Sequence, residues 1–489
     1  MSMTRREWLE IAGAAAAGLG RPRRAAAQAA SGGGDRIDIY PDVERLARSV
    51  ADDRAATLTP SGVELRGRNG VLVQALDKVG VTRPMGDLVE VPPDGLLVFA
   101  VDIGETAWVS GELVLTPDAN LRPGLRATVL CDATVVATPM LSAEPWGIVE
   151  ITDAAPLVAG ASPPTTVTIG PWLMSKGRRY LMVAGPHARP AGTFASLRVR
   201  VLDRPVERPL ETFAFISDTH VRLTGREDWM NRKMGEASAP EFLRTLRGLA
   251  NEGVSFVMHG GDLTEHATRE QFVLMRDVLK AQTLPVYGCI GNHDRYLESS
   301  RPDALDVLRA HFPGGTLDYV VQRPPLRFVV LDVAIEQEGF RDAKIQWLRE
   351  ALRADTTTPT VFVWHYPPIN RGGVANTGFR LQDWSQLGRE TILDVLRDTP
   401  NLCACLNGHD HWDEVNAIDG LPFIQNAAFV EWPNTYRVYR VYRDRLEWEV
   451  RQVANRGFVR ESFLPGKAMS WMIATRDGDL TGSLPLVRR

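Results

Sequence analysis

The run Phe213-Ala214-Phe215-Ile216-Ser217-Asp218-Thr219-His220 is an apolar strand that ends abruptly in a carboxylate and an imidazole. The same design recurs downstream. Val254 to Met258 leads into His259-Gly260-Gly261-Asp262, and Val286 to Ile290 leads into Gly291-Asn292-His293-Asp294. Val361-Phe362-Val363-Trp364 leads into His365, and Leu402 to Leu406 leads into Asn407-Gly408-His409-Asp410-His411. Between these runs lie helical patterns. Phe242, Leu243, Leu246, Leu249 and Ala250 form one apolar face that Gly253 closes. Ser238 to Glu241 and Thr268 to Gln271 read as capping boxes, and Asp342 reads as the cap of a helix carrying Ile345, Leu348 and Leu352. Strands alternating with helices predict a layered α/β domain from about residue 210. Tyr436 to Val453 alternates as further strands, expected to finish the second sheet of that domain.

In α/β sheets, functional groups gather beyond the carboxyl ends of strands. Five such ends would bring together Asp218, His220, Asp262, Asn292, His293, His365, His409 and His411. Carboxylates and imidazoles without thiolates suit Fe, Mn or Zn. Glycines at 260, 261, 291 and 408 let the backbone turn sharply beneath an ion.

The order DxH, GGD, GNHD, H and GHDH resembles the calcineurin-like metallophosphoesterase family. Leu331-Asp332 and Gln346-Trp347-Leu348 add to the likeness, which spans about 210–450. The resemblance implies an αββα layered domain with two packed sheets and a pair of divalent or mixed-valence metal ions. Carried over, Asp218, His220, Asp262 and His411 hold the first ion. Asp262, Asn292, His365 and His409 hold the second, so Asp262 bridges. Two cations about 3.5–4 Å apart clamp phosphoryl oxygens and hold a nucleophilic hydroxide. His293 then faces the leaving-group oxygen, to stabilise or protonate it. Asp294 either orients His293 or caps the segment after the loop. Purple acid phosphatases have a tyrosine ligand three residues after the bridging Asp; here Glu265 stands there. That departure speaks against a tyrosinate–iron site and towards the phosphodiesterase branch. His365-Tyr366-Pro367-Pro368 resembles the ligand loop of that branch.

The chain has 489 residues, with 56 Lys+Arg against 60 Asp+Glu and a net charge of −4. A near-neutral chain without a polybasic block excludes binding to nucleic acid by phosphate neutralisation. No stretch is apolar for about 18 residues, so no membrane span is expected. Residues 1–29 resemble a twin-arginine signal peptide: Thr4-Arg5-Arg6 precedes an Ala/Gly run and Ala27-Gln28-Ala29. Glu10 departs from the usual basic residue, and a short amphipathic helix is the alternative. The signal implies the twin-arginine export machinery as a partner and a periplasmic or secreted protein. Residues 36–205 read as an all-β sandwich, 210–465 as the phosphoesterase domain and 466–489 as a C-terminal tail.

Weaker expectations attach to single residues. Arg295 and Arg371 are candidates for pairing with substrate phosphate. His259 reads as a packed group beside the motifs, whereas His187 and His311 read as surface residues. Trp412 and Trp432 either wall the site or pack. Cys131, Cys289, Cys403 and Cys405 read as buried thiols. The leading function is hydrolysis of a small phosphorylated substrate, a phosphodiester before a monoester or nucleotide. A surface-binding protein with an inert phosphoesterase domain is the alternative from another class. Oligomeric state is not legible. The signal yields a first prediction: Arg5→Lys with Arg6→Lys strands the protein in the cytoplasm, and cell fractionation checks it.

Overall fold

The computed structural model of the chain describes strand segments between 64 and 202. It also describes residues 205–486 except 230, 298–299, 333–339, 369–388, 465–478 and 480. The expected signal, His187 and Arg371 lie outside the described residues, and nothing is described of the Cys131 side chain. In the first half, strands pair antiparallel into two sheets. One runs Glu64–Arg66, Leu72–Lys78, Leu96–Ile103, Gly177–Ala184, Thr128–Cys131, Val135–Val136. The other runs Pro84–Met85, Leu88–Glu90, Thr193–Val201, Ala107–Pro117, Thr165–Met174.

From Glu211 the chain forms a mixed α/β fold with two packed sheets. The first sheet has the order Val286–Gly288, Phe256–His259, Glu211–Ile216, Thr435–Val441, Arg445–Gln452, Thr481–Pro485. Its first three strands are parallel, in a register that levels Ile216 with His259 and His259 with Gly288. The second sheet has the order Tyr319–Arg323, Leu326–Val330, Thr360–Val363, Leu402–Asn407, Leu421–Gln425, Glu414–Ile418. Its four central strands are parallel, and Val363 is level with Leu406. Parallel strands buried on both faces need continuous apolar runs, and those runs were the clearest feature of the sequence. Because all five chemistry-bearing strands run parallel within their sheets, their loops leave at matching levels.

The sheets meet through aromatic rings. Phe213 stacks on Tyr439 at 4.7 Å and on Phe256 at 5.2 Å within the first sheet. Its edge meets Phe328 of the second sheet at 5.2 Å, and Phe256 meets Phe328 at 5.4 Å. All four rings are fully buried. Such rings bury large apolar areas and prefer these stacked and edge-on geometries.

Four local expectations need correction. The helix expected from Ser238 begins earlier, at Gly235, and runs to Asn251 with Pro240 inside it. The Ser238 hydroxyl donates to the Thr219 carbonyl, not to the helix. Tertiary contact outweighed the local capping pattern. Asp342 lies inside the first turn of helix Phe340–Arg353 and is not its cap. The strands Thr435–Val441 and Arg445–Gln452 complete the first sheet, not the second, because the former pairs antiparallel with Glu211–Phe215. The tail is not loose throughout: Thr481–Pro485 pairs with Arg445–Glu449 as an edge strand. By contrast, Thr268 caps helix Arg269–Lys280 as expected. Its hydroxyl oxygen accepts from Gln271 N, and Gln271 Oε1 accepts from His266 N at 2.8 Å. Among the described residues no helix is long and apolar enough to cross a membrane.

Phe213 touches both sheets, so Phe213→Ala leaves a cavity where they join. The expected loss is about 3–5 kcal/mol, measured as a lower urea midpoint.

Candidate metal centre

The five strand ends converge. Two loops of the first sheet are stitched by backbone bonds: Asp218 N donates to Gly261 O and His220 N to Asp262 O, both at 3.0 Å. His409 N, from the second sheet, donates to the Asp218 carboxylate at 3.1–3.2 Å. Asp218, His220, Asp262, His409 and His411 all have φ between 43° and 80°. Non-glycine residues rarely adopt this left-handed region, and each such residue costs about 1–3 kcal/mol of local strain. Strain of this kind concentrates at functional sites because the surrounding structure is built to impose it. Two glycines leave the room. A Cβ on Gly291 would sit 2.1 Å from Asp262 Oδ1, and one on Gly408 would sit 1.9 Å from Ser217 Oγ and 2.6 Å from Asp218 Oδ2.

The side chains form three overlapping groups. Asp218, His220 and His411 lie together, as do His220, Asp262 and His293, and Asp262, His365 and His409; within each group the ligand atoms fall within 4.8 Å of one another. His220 Nε2 is 3.5 Å from Asp262 Oδ2, and His365 Nε2 is 3.3 Å from the same oxygen. Asp262 therefore joins two clusters. Asn292 Oδ1 lies 3.1 Å from His365 Nε2. His220 Nε2 and His411 Nε2 are 3.2 Å apart, and both face Asp218 Oδ1, at 3.8 and 3.4 Å.

The outer nitrogens of three rings face oxygen atoms. His220 Nδ1 is 2.9 Å from Glu265 Oε2, and His411 Nδ1 contacts Glu431 Oε1. His365 Nδ1 donates to Gly260 O at 2.7 Å. For His365 and His411, acceptors on Nδ1 hold the proton there and turn the Nε2 lone pairs into the cluster. Lone pairs from two imidazoles 3.2 Å apart, beside a buried carboxylate, suit a shared cation. The donor set thus fits divalent ions of the Fe, Mn or Zn type.

Electrostatics carry the same signature. Burial opposes ionisation of Asp262, yet His365, His293 and His220 hold its carboxyl well below the usual range. Burial likewise opposes charge on His365, but Asp262 outweighs it and lifts the imidazole to about 9. His411 rises to about 9, against burial, because Glu431 and Asp218 flank it. Without a cation, ring protons carry the positive charge that these carboxylates require.

His293 sits at the edge of the group, its ring 4.5 Å from that of His220. Its Nδ1 donates to Glu265 O at 2.9 Å, and the Tyr296 hydroxyl contacts its Nε2 at 2.9 Å. The idea that Asp294 orients His293 needs correction. The Asp294 carboxylate accepts from the N–H groups of Gly291, Leu263 and Thr264 and from Thr264 Oγ1, at 2.8–3.0 Å. It ties the GNHD loop to the GGD loop and is wholly buried, which with the nearby Asp262 pushes its pKa up to about 6. Glu265 and Tyr296 hold His293 instead. Sequence reading noted Glu265 only as a departure and missed Glu431 and Tyr296, because none of the three belongs to a ligand motif.

The remaining candidates sort plainly. His259 is a packed group: its Nδ1 accepts from Gly261 N at 3.2 Å, and burial lowers its pKa to about 3. His266 is exposed and His311 half-buried. Arg295 is half-buried next to the site loop. Trp432 is buried against Phe463, and Trp412 packs on the core. Cys289, Cys403 and Cys405 are buried free thiols.

Residues 211–413 match the family described as calcineurin-like phosphoesterase. The chain is 25% identical over 204 residues to a probable glycerophosphodiester phosphodiesterase GpdQ of Arcobacter nitrofigilis, covering 40% of this chain and 70% of that protein. A probable cyclic nucleotide phosphodiesterase of a Synechococcus strain is 23% identical over 205 residues, covering 41% and 73%. A solved dimetal phosphatase from Danio rerio aligns with 50% of this chain and 97% of its own, at 19% identity and a TM-score of 0.42. The likeness to calcineurin-like phosphoesterases therefore lies in residues 211–413 of this chain.

Asp262 is the carboxylate common to two of these groups, so its loss should disturb both. Asp262→Ala is expected to reduce metal content below one ion per chain, read by elemental analysis of the purified protein.

Proposed function

We propose that this protein is a metal-dependent phosphoric ester hydrolase that cleaves phosphodiesters. One observation carries the reading. Asp262 stands between His220 and His365, so that ligand-type atoms from two sheets form two clusters sharing one carboxylate. The phosphodiesterase names of the relatives support diesters over monoesters.

On this reading Asp218, His220, Asp262 and His411 hold one ion, and Asp262, Asn292, His365 and His409 hold the other. Divalent ions in such a pair polarise phosphoryl oxygens and supply a nucleophilic water near neutral pH. The chain's own residues do the rest. Glu265, Glu431 and the Gly260 carbonyl keep the imidazoles aimed. Asp294 fixes the distance between the two loops that carry Asp262 and Asn292. His293 has Nδ1 committed to the Glu265 carbonyl; its protonated Nε2, which meets the Tyr296 hydroxyl in the resting site, turns to the leaving-group oxygen and gives it a proton as the ester bond breaks. Arg295 and Arg371 are proposed to meet substrate phosphate. Export by the twin-arginine route into the periplasm or beyond, and a β-sandwich over 36–205 ahead of the catalytic domain, complete the proposal.

The test begins with metal-stripped protein to which Mn, Fe, Zn or Ni is added singly, assayed on diesters and monoesters. Diester hydrolysis that depends on added metal is expected; hydrolysis indifferent to metal would overturn the reading. His293→Ala then probes the acid. Turnover of an alkyl diester is expected to fall about 10²–10⁴-fold. A nitrophenyl diester, whose leaving group needs little protonation, should lose far less, with metal content unchanged.

A further inference from the structure

Behind the cluster around Asp218 stand two buried carboxylates that no ligand motif contains. Glu265 is 2% exposed and Glu431 is 1% exposed. One oxygen of each faces a ring nitrogen: Glu265 Oε2 lies 2.9 Å from His220 Nδ1, and Glu431 Oε1 contacts His411 Nδ1. The second oxygen of each is taken by one short hairpin, Glu227–Asp228 paired with Arg232–Lys233. Lys233 Nζ donates to Glu265 Oε1 at 3.4 Å, and Asn231 N donates to Glu431 Oε2 at 2.9 Å. The hairpin is itself anchored. Asn231 Nδ2 donates to Trp432 O at 3.3 Å, and Asn231 Oδ1 accepts from Leu464 N at 3.1 Å. Met234 N donates to Val430 O at 2.9 Å. Lys233 is 4% exposed, and a buried ammonium persists only when paired.

The arrangement is lopsided. His365 leans on a neutral carbonyl, whereas His220 and His411 each lean on a carboxylate. A carboxylate on the outer nitrogen fixes the ring and raises its basicity as a ligand. We propose that Glu265 and Glu431 are positioning residues for the ion held by Asp218, His220, Asp262 and His411, and that the 227–233 hairpin holds both carboxylates in place. This rests on the metal-centre reading above. It assigns the hairpin, which supplies no ligand, a direct bearing on metal affinity.

The test measures Mn²⁺ affinity of the full, metal-stripped chain by chelator competition, with thermal unfolding of the same metal-free samples. Glu265→Gln and Glu431→Gln keep side-chain volume and are expected to weaken one and the same step of Mn²⁺ binding about 10–100-fold. Lys233→Met alters the hairpin while leaving both carboxylates, and a loss of several-fold in the same step is expected. Lys233→Met decides the matter if a glutamine variant fails to fold. Folded variants that bind Mn²⁺ within twofold of the parent overturn the inference alone. A parent that binds no Mn²⁺ overturns the metal-centre reading and this inference with it.

Discussion

A carboxylate buried at the junction of two sheets needs positive charge beside it, and Asp262 imposes that need on everything around it. It is 1% exposed. Burying an uncompensated ion costs several kcal/mol even after relaxation. The surrounding imidazoles answer part of that cost, which is why His365 is held at about 9. Their Nε2 atoms cannot all carry protons at these separations. A cluster built this way is stable only with cations supplied, as ring protons or as metal.

The fold is arranged to meet that demand from both sides. The first sheet delivers Asp218, His220, Asp262, Asn292 and His293, and the second delivers His365, His409 and His411. Phe213, Phe256 and Phe328 clamp the sheets together beneath the site. The His409 N–H, donating to the Asp218 carboxylate, and the Gly408 N–H, donating to His365 O, fasten the loops above. Packing energy in the core thereby sustains strained left-handed backbone at the ligands. Glycines at 291 and 408 are fixed by the same geometry, since any side chain there would occupy the space of Asp262 or Asp218.

The family model matches residues 211–413, and the sheet that carries the site draws on strands beyond them. Strands Thr435–Val441 and Arg445–Gln452 complete the first sheet, and Glu431 supports His411. The hairpin at 227–233 reaches both Glu265 and Glu431.

By itself the sequence determined the five strands that carry the chemistry and what stands at their ends. Continuous apolar runs are readable because strands buried on both faces need them, and a motif at a strand end is local in the chain. It did not determine which sheet receives Tyr436 to Val453, because pairing partners are far apart in sequence. The cap at Ser238 failed for a related reason: the hydroxyl found the Thr219 carbonyl, a partner that exists only after folding. Asp294 was aimed at its neighbour His293 by sequence proximity, yet its oxygens meet three N–H groups and a hydroxyl brought in by the loops. Glu265, Glu431 and Tyr296 were invisible as functional residues for the same cause. An ion's ligands are set by the chemistry of the residue itself, whereas the groups that aim those ligands are chosen by distance, and distance belongs to the tertiary structure.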